Sequence, residues 1–181
     1  MPIASAEDVV AFWCEAGHER WFGPDADFDA QIRVRFLKTH EAAAAGRLDE
    51  WQQTASGALA LLLLLDQFPR NMFRKTPRAF ATDAAALGIA RRAIDAGFDR
   101  QVEKDMRSFF YLPFMHSEVL ADQELCLKFY RDDGNEEGIK YAEIHLDAIR
   151  SFGRFPHRNE ILHRQSTPEE IAYLEDGGFR G

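Results

Sequence analysis

Cysteine is scarce in this chain. Only Cys14 and Cys126 occur among 181 residues, each beside apolar neighbours and neither in a Cys-x-x-Cys arrangement. A disulfide framework is therefore excluded, and the two read as buried thiols of a reducing compartment. Lys and Arg are missing from the first nineteen residues, which do hold Glu7, Asp8 and Glu15. That is the reverse of a signal peptide's basic start, so nothing directs export and a cytoplasmic location is expected. The greasiest run, Ala58 to Leu65, has eight residues, whereas a membrane span needs about 20, so no membrane association is expected. Positive charge is in deficit too, with 22 Lys and Arg against 30 Asp and Glu for a net charge of -8. Attachment to nucleic acid needs the opposite sign, and none is expected. Alternating strands and Asn-Gly or Asp-Gly hairpin turns are lacking. So are a Gly-rich phosphate loop, a Gly-x-Ser-x-Gly elbow and a Rossmann fingerprint, which argues against nucleotide-fold and serine-hydrolase chemistry.

What remains is a chain that is 46% hydrophobic and 29% charged, the composition of an ordinary globular domain, punctuated throughout by helix signals. Ser5-Ala-Glu-Asp8 resembles a capping box and precedes Val9, Phe12, Trp13 and Ala16 at helical spacing. A second helix from about Asp27 aligns Phe28, Ile32 and Phe36 and ends in the Ala42 to Ala45 run. A third starts at Asp49 and runs through the leucines to Phe68, where Pro69 should halt it. Thr82 or Asp83 opens a fourth, closed by Gly97; the aromatic stretch Met106 to Pro113 has no clear period; and Phe114 to Tyr130 reads as a fifth. The sixth, Glu136 to Phe152, has Ile139, Ala142, Leu146 and Ile149 as one stripe, with Tyr141, His145 and Ala148 on an adjacent one. Thr167-Pro-Glu-Glu170 joins a cap, a first-turn proline and a capping-box glutamate, the clearest helix start in the chain. The expectation is all-α: one domain over residues 1–181, a compact bundle of about seven antiparallel helices.

Charge is unevenly spread. Gln67 to Thr82 holds Arg70, Arg74, Lys75 and Arg78 with no acid, and Arg150 to Arg164 holds four arginines against Glu160 alone. Two basic islands in an acidic molecule suit a small anion or intramolecular ion pairs better than a polymer. Each island contains an Arg-Asn corner just after a helix, Asp66-Gln-Phe-Pro-Arg-Asn71 and Phe155-Pro-His-Arg-Asn159, a weak internal echo. Asp66, Arg70, Asn71, Arg154, His157, Arg158 and Asn159 are therefore candidate ligand-binding residues. Equally, Arg70 and Arg158 suit the last carbonyls of the helices before them, with acids such as Asp66 or Asp147 beside them. In the segment Tyr111-Leu-Pro-Phe-Met-His116-Ser117-Glu118, a helix starting near Phe114 would put Glu118 and Asp122 on one face with His116 near its start. His116, Glu118 and Asp122 are the candidate acid–base set; the alternative is that they cap the helix locally. With no His-Glu-x-x-His or Glu-x-x-His pair, no metal and no cofactor are expected.

Taken together, the segments from Leu64 to Asn71, from Tyr111 to Glu118 with Asp122-Gln123, and from Phe152 to Asn159 followed by Arg164 to Glu170 resemble the bacterial family catalogued as domain of unknown function 924. The resemblance runs from the Phe12-Trp13 and Trp21-Phe22 pairs to the last helix. It departs from the family pattern at His163, where a glycine is commoner. It implies an all-helical fold of tetratricopeptide-like helical hairpins and no established activity. Two functions compete. One is a polar pocket for a small anionic molecule, which in its enzymatic form would work through His/Glu acid–base chemistry. The other is an adaptor whose groove holds a peptide or partner protein, for which exposed Trp21, Phe22, Phe73 or Phe179 would speak. A third outcome is that the polar residues only lock helix ends.

Overall fold

The computed structural model describes residues 2–180. Helix accounts for 73% of it, and no strand occurs among the described residues, so the all-α expectation holds. The chain forms two compact units, residues 1–113 and 114–181.

In the first unit, α1 (Ala6–Ala16) starts at the expected capping box, with the Asp8 amide donating to Ser5 Oγ at 3.1 Å. A single turn, His18–Trp21, leads to α2 (Ala26–Ala44), whose N-cap is Asp25. A 3-10 turn, Asp49–Gln53, follows; the third helix, α3, then occupies 55–72 rather than starting at Asp49. After it comes α4 (Asp83–Asp95). α1 and α4 pack on the first half of α3, and α2 packs on its second half. Aromatic rings cement this arrangement: Trp13 lies 5.7 Å from Phe28, 5.5 Å from Phe68 and 5.7 Å from Phe109. Its neighbour Trp21 donates its indole N–H to the Trp13 carbonyl at 2.7 Å. Cys126 is buried as expected, but Cys14 is exposed. Phe12 and Trp13 take the inward face of α1, and one further residue, about 100° around the helix, brings Cys14 out.

Pro69 does not end α3. Leu63–Gln67 adopts a π-helical turn, and the Phe68 amide reaches back to the Leu63 carbonyl. The wider turn lets proline follow inside the helix. Pro69 has no N–H to give the turn before it, and the carbonyls there are met by side chains. His40 Nδ1 lies 2.8 Å from Leu64 O, Thr82 Oγ1 donates to Leu65 O at 2.6 Å, and Arg70 Nη1 donates to Asp66 O at 2.6 Å.

The unit boundary falls within α5 (Ser108–Met115). Phe109, Phe110, Tyr111, Leu112, Phe114 and Met115 are all buried there, so no polar face exists to give the segment a period. Phe114 therefore belongs to α5, and α6 (Leu120–Asp133) starts six residues later than the pattern suggested. The hairpin of α6 and α7 (Glu136–Phe152) turns at Gly134 and Asn135 and forms the body of the second unit. α8 (Pro168–Glu175) opens with the expected capping box and packs on the Pro156–Arg158 turn. Ala148, Ile149 and Phe155 form a buried cluster against which Phe179 packs.

If the Thr82 hydroxyl is what satisfies the buried Leu65 carbonyl, Thr82→Val should cost about 1–3 kcal/mol of stability, whereas Thr82→Ser should cost much less. Urea unfolding of the two variants separates them.

Candidate functional site

The Asp66–Asn71 corner closes on partners within the first unit. Asp66 is 1% exposed; its carboxylate accepts from Gln67 Nε2 and lies 3.3 Å from Arg70 Nη1. Arg70 also forks onto both oxygens of Asp83, at 2.9 and 3.0 Å. Burial opposes the charge on Arg70, but Asp66 and Asp83 outweigh it and hold the guanidinium above its ordinary pKa. Asn71 donates to Asp29 Oδ1 at 2.8 Å, and Arg74 forks onto the same carboxylate.

The second unit carries a longer network, strung on two carboxylates. Glu118 lies in the break between α5 and α6, not on a face of α6 with Asp122, because that helix starts only at Leu120. One oxygen accepts from the Phe155 amide at 2.8 Å, and both accept from Arg164, at 2.7 and 3.0 Å. Burial would raise its pKa, but Arg164 and the Phe155 amide prevail and hold it below the usual carboxylate range. Glu170 is 2% exposed and accepts from Arg154 at 2.6 and 2.8 Å, from Asn159 at 3.0 Å and from the Thr167 amide at 2.8 Å. The Arg154 fork is the chief reason its pKa falls to about 2. Arg164 donates to Asn159 Oδ1, so the chain of bonds runs unbroken from Glu118 through Arg164 and Asn159 to Glu170 and Arg154. Asp122, 3% exposed, accepts from the Ser117 hydroxyl at 2.7 Å, while Gln123 donates to the carbonyls of Phe114, Met115 and Ser117. The Glu118 carboxylate thus ties the 153–167 loop to the break between α5 and α6.

One group of residues stands apart from this framework. His145 on α7 and His157 in the turn share two aromatic neighbours: their rings lie 5.5 and 5.6 Å from Phe155, and 4.2 and 5.0 Å from Phe179. Arg158, 7% exposed, lies over the Phe155 ring at 4.5 Å and donates to the His116 carbonyl at 3.1 Å. His145 Nδ1 lies 2.7 Å from the Tyr141 carbonyl, which requires the proton on Nδ1 and leaves Nε2 with a bare lone pair. His157 is hydrogen-bonded to the backbone of Phe179, and its Nδ1 is buried with no hydrogen-bond partner. Burial, then the neighbouring cationic groups, depress both imidazoles, His145 to about 3 and His157 to about 4. Both are neutral at pH 7. No cluster of His, Cys, Asp and Glu with the make-up of a metal site occurs among the described residues.

A model of the bacterial proteins of unknown function DUF924 matches residues 9–178. The chain belongs to that family. It is 48% identical to the protein of unknown function ATU0120 from Agrobacterium tumefaciens, whose structure aligns with a TM-score of 0.92 over 95% of this chain and 97% of that one. No curated protein matches it. In this DUF924 chain His163 sits at φ +55°, in the left-handed region that glycine adopts without strain, so a glycine would suit the position.

Of the residues singled out from the sequence, Arg154, His157, Arg158, Asn159, His116 and Glu118 fall within this second-unit assembly. Sequence reasoning did not place His145 or Arg164 among the site residues and took Phe179 only as an aromatic of the adaptor reading. His145 had a visible signal, its place on the second stripe of α7; Arg164 pairs with Glu118 across 46 positions, and no local pattern reveals such a pair.

A pH dependence follows. His145 and His157, and His40, whose pKa burial also lowers, are neutral in the folded chain but take a proton near pH 6.5 when unfolded. The unfolded state then binds more protons, so stability is full above about pH 6.5 and is lost as pH falls toward 4. Denaturant midpoints should drop over this window, with His145 contributing up to about 1.4 kcal/mol per pH unit. His145→Gln should flatten the slope.

Proposed function

We propose that the second unit binds a small anionic molecule that also carries a hydroxyl, with Arg158 holding the charge and the unprotonated nitrogens of His157 and His145 accepting the hydroxyl proton. The observation that carries this reading is His157 Nδ1, a buried acceptor that the folded chain does not use. Leaving such an atom unmet costs about 1–3 kcal/mol, which a ligand donor would recover. Arg158 beside it supplies a fixed positive charge whose planar face is already packed on Phe155. Arg154, Asn159, Arg164, Glu118 and Glu170 then serve as the rigid frame, and Asp66, Arg70 and Asn71 do the same for the first unit. In a reaction that begins by removing the hydroxyl proton, His157 would be the acceptor.

The adaptor reading has less behind it. Of the four aromatics that would speak for it, Trp21 and Phe73 are buried and Phe179 packs on His145; Phe22, at 55% exposure, is open.

Inorganic phosphate at neutral pH carries both features, a charged oxygen and a P–OH. Titrated with phosphate at millimolar concentrations, the His157 ring nitrogens should shift in a saturable way by nitrogen-15 NMR. Arg158→Gln should weaken binding about tenfold or more, whereas Arg74→Gln in the first unit should leave it unchanged. An unmoved His157 signal rejects the proposal.

A further inference from the structure

The residue closing over the two histidines is Phe179, and three features of the chain hold it there. Gly177 turns the backbone at φ +86°, a conformation that L side chains rarely adopt. At Gly178 a Cβ would come within 2.5 Å of the Tyr173 carbonyl and 2.6 Å of its ring, so only glycine lets the segment double back so closely. The Tyr173 hydroxyl accepts from the Phe179 amide at 2.9 Å, and the Tyr173 ring is itself anchored on Phe152 at 4.9 Å. The result places one benzyl ring 4.2 Å from His145, 5.0 Å from His157 and 6.3 Å from Phe155. All three neighbours are flat π-systems, and their arrangement around Phe179 is tilted or edge-on, the geometry in which aromatic groups attract one another.

The Phe179 ring is only partly buried, and the segment is fastened by the Gly177, Gly178 and Phe179 amides on the Leu174 carbonyl, the Tyr173 carbonyl and the Tyr173 hydroxyl, by Arg180 on the Leu174 carbonyl, and by the hydrogen bond between His157 and the Phe179 backbone. All but the last of these bonds tether it to α8, so the segment is a strap hung on that helix, while the surface beneath it, made by α7 and the 155–158 turn, belongs to the unit's core. The geometry points to an aryl seat: the place filled by the Phe179 ring, between His145, His157 and Phe155, receives the aromatic ring of an anionic ligand, and the segment 177–180 swings out to admit it. This rests on the anion-binding reading above and narrows it to aromatic acids. Arg158 lies over the same Phe155 ring that borders the seat, so an acid group attached to the seated ring has a guanidinium at its edge. The strap is then a competitor built into the chain, and free ligand must displace it, which lowers the apparent affinity by the fraction of time the seat is open.

Benzoate and acetate carry the same acid group and differ by the ring. Both are titrated into wild type, Phe179→Ala and Tyr173→Phe, with the ring nitrogens of His145 and His157 followed by NMR. Phe179→Ala should bind benzoate about tenfold more tightly than wild type, while acetate changes less than about twofold, a preference on the scale of one aromatic contact. Tyr173→Phe keeps every ring of the core and loosens only the strap; it should show a smaller benzoate gain in the same direction, and it carries the test if Phe179→Ala does not fold. Equal gains for acetate and benzoate, or no gain in either variant, overturn the aryl seat. The phosphate titration of wild type reads the anion site separately: phosphate binding without a benzoate preference sinks this inference and leaves the anion reading standing, whereas a benzoate gain that survives Arg158→Gln takes the charge away from Arg158 and overturns both.

Discussion

A buried backbone carbonyl that loses its helical donor must find another, and this requirement organises both units. Around the π-turn and Pro69 of α3 the carbonyls of residues 64, 65 and 66 have side-chain partners, His40, Thr82 and Arg70 in turn. Those three donors come from α2, from the residue before α4 and from α3 itself, so satisfying one turn of helix ties three elements together. At the end of α5 the same demand recurs. Gln123 serves the carbonyls of Phe114, Met115 and Ser117, and Arg158 serves that of His116. Arg164 serves the Phe155 carbonyl at the start of the next turn. An orphan carbonyl in such a place costs about as much as the whole contribution of a good hydrogen bond, which is why charged and amide side chains crowd beside the greasiest helices of this protein.

That demand also separates what the sequence could show from what it could not. Helix starts were legible because capping is local: Ser5 with Asp8 and Thr167 with Glu170 declare themselves within four residues. The stop expected at Pro69 failed because the rule for proline assumes an α-helical turn before it, and a π-turn changes the register without leaving a sequence mark. The start of α6 was misplaced for a different reason. A helix buried on every side has no amphipathic period, so the aromatic stretch before Phe114 offered nothing to distinguish it from a connector.

The candidate site was half legible on the same grounds. His157, Arg158 and Asn159 stood out as a corner after a helix; Arg70 and Arg158 both donate to backbone carbonyls, but to Asp66 inside α3 and to His116 beyond α5 rather than to the last carbonyls of the helices before them. What local pattern could not reveal was who answers them. Glu118 meets Arg164, and Asn159 links that pair to Glu170, contacts that exist only once the 153–167 loop has folded back. Glu118 is held in an arginine fork, and the imidazoles proposed above to accept a proton come instead from α7 and the turn.

The two kinds of buried polar group in the second unit differ in what they cost. The carboxylates are each matched by guanidinium forks and amides, so their burial is offset and their geometry is fixed. An imidazole that gives one nitrogen to a backbone carbonyl and leaves the other without a donor has no such compensation, and an apolar ring of similar size would fill the same space at lower cost. His145 and His157 both have a nitrogen committed to the backbone, His157 leaves its Nδ1 without a partner, and both are held neutral by burial. Neutral acceptors beside a permanent cation form a combination that complements a ligand bearing a proton and a negative charge, and not a second copy of either alone. Phe179 packs against both imidazoles, and this aromatic contact offsets part of that cost.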